Sequence, residues 1–314
     1  MPDRQLELER LNASDAREWL RLARHGDLAT AWTLSDRIRA RTPPRHDAGL
    51  PRHLQQIWDG TPLSGRRVLI RCYHGLGDTI QFSRYIPAVR SVAREVIVWA
   101  QPRLLPILQT LPNGVGLLPL HDGSPEVDYD LDVEIMELPY VFRTTLSTIP
   151  SAVPYLHATP TPLIADERLR VGVVWRAGDW DDRRSIPFDL LGSLFTVPDV
   201  CWYCLQHDPQ RPEQHPKLRA LDNATILRSA EHMRALDLVI SVDSMPAHLA
   251  GALGIQVWTL LTHGPDWRWM EERGDTPWYP TMRLFRQTRP GDWQSLLEQV
   301  RGALLARDDH MARE

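Results

Sequence analysis

Apolar residues recur along this chain with two different spacings. Over the first forty residues Leu8, Leu11, Trp19, Leu20, Leu22 and Ala23 follow a helical period, with Ser14 and Asp15 placed to cap it. His25-Gly26-Asp27 interrupts the stripe, and a second one through Ala31, Trp32, Leu34 and Ile38 stops at Pro43-Pro44. The pattern predicts a helical hairpin. Residues 45–65 read as loop, apart from a short helix around 53–58. Short apolar runs then alternate with longer amphipathic ones. The spacing predicts a strand over 67–73, a long helix carrying Phe82, Tyr85, Ile86, Val89 and Val92, a strand over 95–100 and a helix over 102–111. After Pro150, Pro154, Pro160 and Pro162 the alternation restarts, with strands over 169–175, 200–206, 237–242, 256–261 and 282–286. A helix opens at Pro246 and a last one covers 292–305. Short, continuously apolar strands suit a parallel sheet covered on both faces. The expected class is therefore α/β: two Rossmann-like, doubly wound lobes facing a cleft, behind a short N-terminal helical hairpin. The expected boundaries are 1–62 for the hairpin and linker, 63–160 for the first lobe and 161–314 for the second.

Composition narrows the function classes. Hydrophobic content of 43% and charged content of 24% exclude a disordered or fibrous chain. A net charge of −4 supplies no basic field, so nucleic acid is not an expected partner and membrane contact is at most peripheral. The opening MPDRQLELER lacks the apolar core of a secretory signal, and no apolar run approaches the roughly 20 residues a membrane helix needs. Three cysteines are too few for a disulfide scaffold, which fits a reducing compartment and an expected cytoplasmic location. Cys201 and Cys204 fall within one expected strand, where alternation aims them at opposite faces and argues against a shared metal. Twelve tryptophans remain to be explained.

Four segments carry candidate chemistry. In HGLGDTIQFSRYIP, Gly75 and Gly77 lie between a strand and a helix, where backbone turns sharply and can approach a ligand. The third glycine of a dinucleotide fingerprint is Ile80, so a nicotinamide enzyme is poorly supported. Asp78 sits at the helix start, either as an ordinary cap or as a carboxylate kept ionised for general-base work. In SVDSMPAHLAGALG, Pro246 opens a helix whose N-terminal N–H groups suit a diphosphate, beside Asp243, Ser244 and His248. RAGDWDDRRSIP contains a D-x-D at Asp179 and Asp181, read as a solvated loop. Its Arg183 and Arg184 matter more, as guanidinium clamps for phosphate. PDWRWM and PWYP gather Trp267, Trp269, Trp278 and Tyr279, at least half of them expected to be ordinary packing. Asp128, Asp130 and Asp132 alternate in DYDLD and could line one strand face or an exposed edge.

The ordered series GLGDTIQFSRYIP, VGVVWRAG…RRSIP, LVISVDSMPAHLAGALG and PDWRWM…PWYPTMRLFRQ resembles the glycosyltransferase domain attached to bacterial tetratricopeptide-repeat proteins. That domain is a relative of the ADP-heptose:lipopolysaccharide heptosyltransferases, and the similarity covers roughly residues 55–305. The resemblance implies the GT-B architecture, an acceptor lobe followed by a nucleotide-sugar donor lobe, and no essential metal or other cofactor. It implies Asp78 as catalytic base and places Asp243, Ser244 and His248 near donor sugar and diphosphate, with Arg183 or Arg184 on the diphosphate. It brings Gly75, Gly77, Thr79, Gln81, Trp175, Gln206, Met245, Asp266 and Trp267 into the binding set. Tyr73-His74 stands where longer relatives carry an acidic–glutamine pair, and His207-Asp208 where a lysine–glycine pair is usual. The expected function is an inverting, metal-independent transfer from a nucleoside-diphosphate sugar to a glycan, lipid-linked glycan or protein. The alternative is a non-catalytic sugar-nucleotide or protein-binding module, with the hairpin as its docking element.

Overall fold

A computed structural model describes residues 2–41, 51–52, 55, 57–163, 167–178, 181–206 and 215–311. Pro43-Pro44, half of the expected 53–58 helix, Asp179-Trp180 and His207-Asp208 lie outside the described residues. The chain divides into two compact units. The first comprises Met1–Leu105, Pro112–Ser151 and Pro265–Arg273; the second comprises Pro106–Leu111, Ala152–Gly264 and Gly274–Glu314.

The first unit opens with a hairpin of α1 (Pro2–Arg24) and α2 (Leu28–Arg41), turned at Gly26 with φ +80°. Helix α1 runs unbroken through Ser14 and Asp15, so neither is a cap; the Asp15 carboxylate instead pairs with Arg41 of α2. Leu22, Ala31 and Leu34 seal the hairpin, with Trp19 and Ile38 packed on them. The chain then enters β1 (Arg67–Arg71), α3 (Leu76–Phe82), a 3₁₀ turn at Ser83–Tyr85, and α4 (Ile86–Val92). Sequence spacing predicts one helix here. Pro87 has no N–H to offer the Ser83 carbonyl, and the run tightens and restarts around it. Next come β2 (Glu95–Ala100), α5 (Leu105–Leu108), β3 (Val115–Pro119), β4 (Leu131–Glu134) and α6 (Leu138–Val141). The four strands form one parallel sheet in the order β3-β2-β1-β4, with Leu69 beside both Ile97 and Asp132. Of the alternating aspartates only Asp132 lies in a strand, where it pairs with Arg71 at 2.6 Å.

The second unit is built from β5 (Leu169–Val174), β6 (Val200–Cys204), β7 (Leu218–Ala220), α7 (Ile226–Met233), β8 (Leu238–Val242), α8 (Met245–Ala252), β9 (Val257–Leu261), β10 (Met282–Arg286) and α9 (Trp293–Met311). Its sheet is six-stranded and parallel, in the order β10-β9-β8-β5-β6-β7. Strands β5, β6, β8 and β9 are buried along most of their length, which is why their sequences read as unbroken apolar runs. All three cysteines are buried, and none is in a disulfide. Among the described residues nine tryptophans are buried, Trp99, Trp175, Trp202, Trp269 and Trp278 included, so the high tryptophan count is chiefly a packing feature.

Both sheets have a point where the strand order reverses. In the first unit the chain leaves β1 to build β2 and β3 on one side and returns to place β4 on the other. In the second, β6 and β7 lie on one side of β5 and β8, β9 and β10 on the other. At such points the loops leaving adjacent strands diverge and open a crevice at the carboxyl edge. The candidate residues gather at these two places.

Candidate functional site

At the first reversal, β1 ends at Arg71 and the chain turns through Tyr73, His74 and Gly75 into α3. Gly75 is the N-cap, Gly77 lies inside the first turn, and Asp78 occupies the third helical position. The Asp78 carboxylate reaches back and accepts the Gly75 N–H at 2.9 Å. A Cβ on Gly75 would stand 3.0 Å from Asp78 Oδ2, so the glycine is what allows this close return. The other oxygen, Oδ1, receives the guanidinium of Arg268. Asp78 thus caps α3 and also presents a carboxylate, 20% exposed, at the sheet's carboxyl edge. Thr79 and Gln81, both in the expected binding set, are buried within the unit. Thr79 donates to Gln101 Oε1 at 3.1 Å, and Gln81 Oε1 accepts from Arg268 at 3.2 Å.

Behind Asp78 stand groups that sequence reasoning did not single out. Strand β4 delivers Glu134, which accepts the Tyr73 N–H at 3.1 Å and the Met136 N–H at 2.6 Å, and lies 3.0 Å from His74 Nδ1. Burial opposes a charge on His74, but Glu134 and then Asp78 outweigh it and raise the imidazole above its ordinary range. One turn on, Glu137 accepts the N–H groups of Ile57, Trp58 and Glu134 at 3.1, 3.0 and 2.8 Å. Burial nevertheless dominates and pushes Glu137 up to about 7. No local pattern marks these glutamates, because their partners lie up to eighty positions away.

Asp266 and Trp267 were expected in the second lobe. Their segment, Pro265–Arg273, belongs instead to the first unit. Asp266 caps a 3₁₀ turn at Trp267–Trp269 and accepts Arg268 Nε at 2.8 Å. Burial disfavours the Asp266 charge, yet Arg268 beside it holds the carboxyl below the usual carboxylate range. The Trp267 ring meets Trp19 of α1 edge-on at 5.4 Å. Trp269, Trp278 and Tyr279 are wholly buried and belong to the core.

The second reversal is electrostatically different. Helix α8 begins immediately after β8, with Ser244 as N-cap, Met245 first and Pro246 next. The Ser244 hydroxyl turns back to the Val242 carbonyl at 3.1 Å and leaves the helix start without a side-chain cap. Asp243 is buried, and its carbonyl accepts Arg184 Nη1 at 3.1 Å. Among the described residues, Arg184 Nε and Trp175 Nε1 are buried without a hydrogen-bond acceptor. Arg183 points elsewhere: its side chain is 86% exposed and pairs with Asp181 at 2.8 Å. The arginine pair that sequence left undecided is thereby split, with Arg184 at the helix start and Arg183 on the surface. Gln206, after β6, accepts the N–H groups of Trp175 and Arg176 at 3.3 and 3.0 Å and fixes the loop leaving β5. His248 is a buried core residue, its Nδ1 3.0 Å from the Tyr279 hydroxyl and its Nε2 4.0 Å from Asp243. Gly251 makes that contact possible, since a Cβ there would fall 2.5 Å from the Tyr279 ring. Among the described residues, no group of three or more His, Cys, Asp or Glu side chains is placed to hold a metal ion.

Comparison with known proteins places the fold. No family model matches the chain. It is 23% identical over 290 residues to protein FlbA of Caulobacter vibrioides, a match covering 79% of this chain and 48% of FlbA. The chain thus spans about half the length of that curated relative. Among solved structures it is similar to a glycosyl transferase family 9 protein of Veillonella parvula, with TM-score 0.55 and 12% identity over 79% of this chain and 99% of that one. It is also similar to ADP-heptose lps heptosyltransferase II of E. coli, with TM-score 0.51 and 14% identity over 77% and 99% of the two chains. The dodecameric iron-containing heptosyltransferase TibC, solved with ADP-D-β-D-heptose, matches with TM-score 0.55 and 11% identity over 80% and 78%. The fold is GT-B-like, with two parallel α/β sheets and an added N-terminal helical hairpin. No helix among the described residues is long and apolar enough to cross a membrane.

Proposed function

We propose that this chain is a glycosyltransferase that moves a sugar, with inversion and without an essential metal, from a nucleoside-diphosphate donor to a glycan, lipid-linked glycan or protein. The observation that carries this reading is the start of α8: an uncapped helix N-terminus at a sheet reversal, with Arg184 bearing a buried, unsatisfied N–H beside it. Unmatched buried donors and a positive helix end are complementary to an anion, and a diphosphate supplies one. In the reaction, the acceptor O–H proton passes to Asp78 as the acceptor oxygen bonds to the anomeric carbon. The bond from that carbon to the diphosphate oxygen breaks, and the leaving group keeps the electron pair. Arg184 and the α8 N–H groups would carry the charge that develops on the diphosphate.

A binding module without catalysis is the second reading, and one observation favours it: both Asp78 oxygens are already engaged, by Gly75 and Arg268. Each oxygen has a further lone pair, so engagement does not remove basicity. Calorimetry with ADP, UDP, GDP and dTDP, followed by nucleotide release from the matching sugar donors, separates the two. ADP-heptose comes first, because structural neighbours carry it in their names. Transfer predicts that the parent releases nucleotide with or without EDTA and that D78N loses about 100-fold or more in turnover while still binding. Undiminished turnover in D78N would remove Asp78 from the mechanism. Binding with no release from any donor or acceptor leaves the module reading standing.

A further inference from the structure

Arg268 occupies an unusual position among the charged residues of the first unit. Its guanidinium lies between two carboxylates, Asp78 and Asp266, and also donates to Gln81. The side chain is 13% exposed, and its carbon rests 5.8 Å from the centre of the Phe82 ring. Its direction is set by its own loop before it meets Asp78. Asp266 accepts both the backbone N–H of Arg268, at 3.0 Å, and its Nε, at 2.8 Å. The loop is tied in turn to the N-terminal hairpin. Glu271 N–H donates to the Arg24 carbonyl at 3.0 Å, and Trp267 packs edge-on against Trp19. Met270 and Glu272 hold φ of +55° and +59°, left-handed values that non-glycine residues keep only where surroundings enforce them.

A surface ion pair would need none of this support. Arg268 is fixed through Nε by Asp266 and braced by the hairpin through its neighbours, so that its Nη1 arrives at Asp78 Oδ1. Gly75 N–H holds Oδ2. Held at both oxygens, the carboxylate cannot turn about its Cβ–Cγ bond, and its remaining lone pairs keep one direction.

We propose that Arg268 is a positioning residue that orients the Asp78 carboxylate for proton abstraction, with the hairpin as the brace for the loop that carries it. The proposal rests on the reading of Asp78 as the base. It adds that the base is oriented from a segment 190 positions away in sequence. Among the described residues, the charged groups His74, Arg268 and Asp266 face Asp78.

The test compares R268Q, R268K, D78N and the double variant R268Q/D266N. The double variant removes the cation and one anion together, so it carries the test if R268Q alone does not fold; R268K carries it if neither does. The first readout is a ¹³C titration of the Asp78 carboxyl, identified by its absence in D78N. The second is the pH profile of ADP release from ADP-heptose. Loss of the neighbouring cation is expected to move the Asp78 titration to higher pH by about one unit or more, because the charged form loses its partner. Turnover falls about 10- to 100-fold with KM within about twofold, and the acid limb of the profile moves the same way. R268K recovers part of both. An Asp78 titration and pH profile unchanged in R268Q overturn the role of Arg268. If D78N is inactive while R268Q matches the parent, only this proposal fails. If D78N is as active as the parent, the reading of Asp78 fails and takes this proposal with it.

Discussion

The two sheet reversals solve the same topological problem with opposite electrostatics. At the first, the carboxylates are paired within the unit, although Gln81 Nε2 beside them is a buried donor with no acceptor among the described residues. Asp78 holds Gly75 N–H and Arg268, Glu134 holds two backbone N–H groups beside His74, and Glu137 holds three. At the second, α8 has no side-chain cap, and buried N–H groups on Arg184 and Trp175 have no acceptor among the described residues. A buried donor left unsatisfied costs about 1–3 kcal/mol, so a fold keeps one where something else completes it. The difference separates two kinds of site. On the proposed reading, the first corner serves proton transfer and the second a ligand that brings its own negative charge.

The largest expected effect probes how completely the first corner is matched. Glu137 titrates near 7 when folded, against an ordinary value of 4.5, with burial as the main cause. A carboxyl that binds its proton more tightly when folded contributes stability that is full below about pH 4.5 and lost as pH rises through about 7. The loss is on the order of 3 kcal/mol. The raised imidazole of His74 contributes in the same direction, since its stability too is lost as pH rises through its folded value. Urea unfolding of the parent between pH 5 and 7.5 should show this decline, and E137Q should flatten it. A parent curve that rises with pH across that window would mean the three backbone donors dominate burial.

A smaller effect tests whether the hairpin belongs to the first corner. Trp19 donates to Ser35 at 3.1 Å and packs against Trp32 and Trp267. As it is half-buried, W19A should cost about 2 kcal/mol, less than the 3–5 typical of core tryptophans. It should also lower turnover several-fold and leave nucleoside-diphosphate binding unchanged. Thermal melts and ADP release measure both. A destabilised W19A with parental turnover would make the hairpin a separate docking element rather than a brace.

How much was legible in sequence follows from the range of each interaction. The buried central strands show themselves because every position is apolar. Strand β3 does not, being half-exposed and containing Gly116; nor does β7, three residues at the sheet edge; nor β4, whose DYDLD approach is polar. Asp78 was visible because a turn and a helix start surround it locally. Glu134, Glu137 and Arg268 were not, since each acquires its meaning from residues distant in the chain. PDWRWM did contain an acid two places before an arginine, but nothing local says that the arginine continues to Asp78. Spacing could not choose between Arg183 and Arg184 either, since the choice depends on which one the turn after Asp181 directs toward Asp243.

The contrast between the two corners is tested most directly by titrating one nucleoside diphosphate, ADP, into the parent, D78N and R184Q by calorimetry. A donor site at the start of α8 predicts that D78N binds like the parent and that R184Q binds at least about tenfold more weakly, the loss of one charge-assisted contact. Parental affinity in R184Q, or a loss confined to D78N, would contradict it.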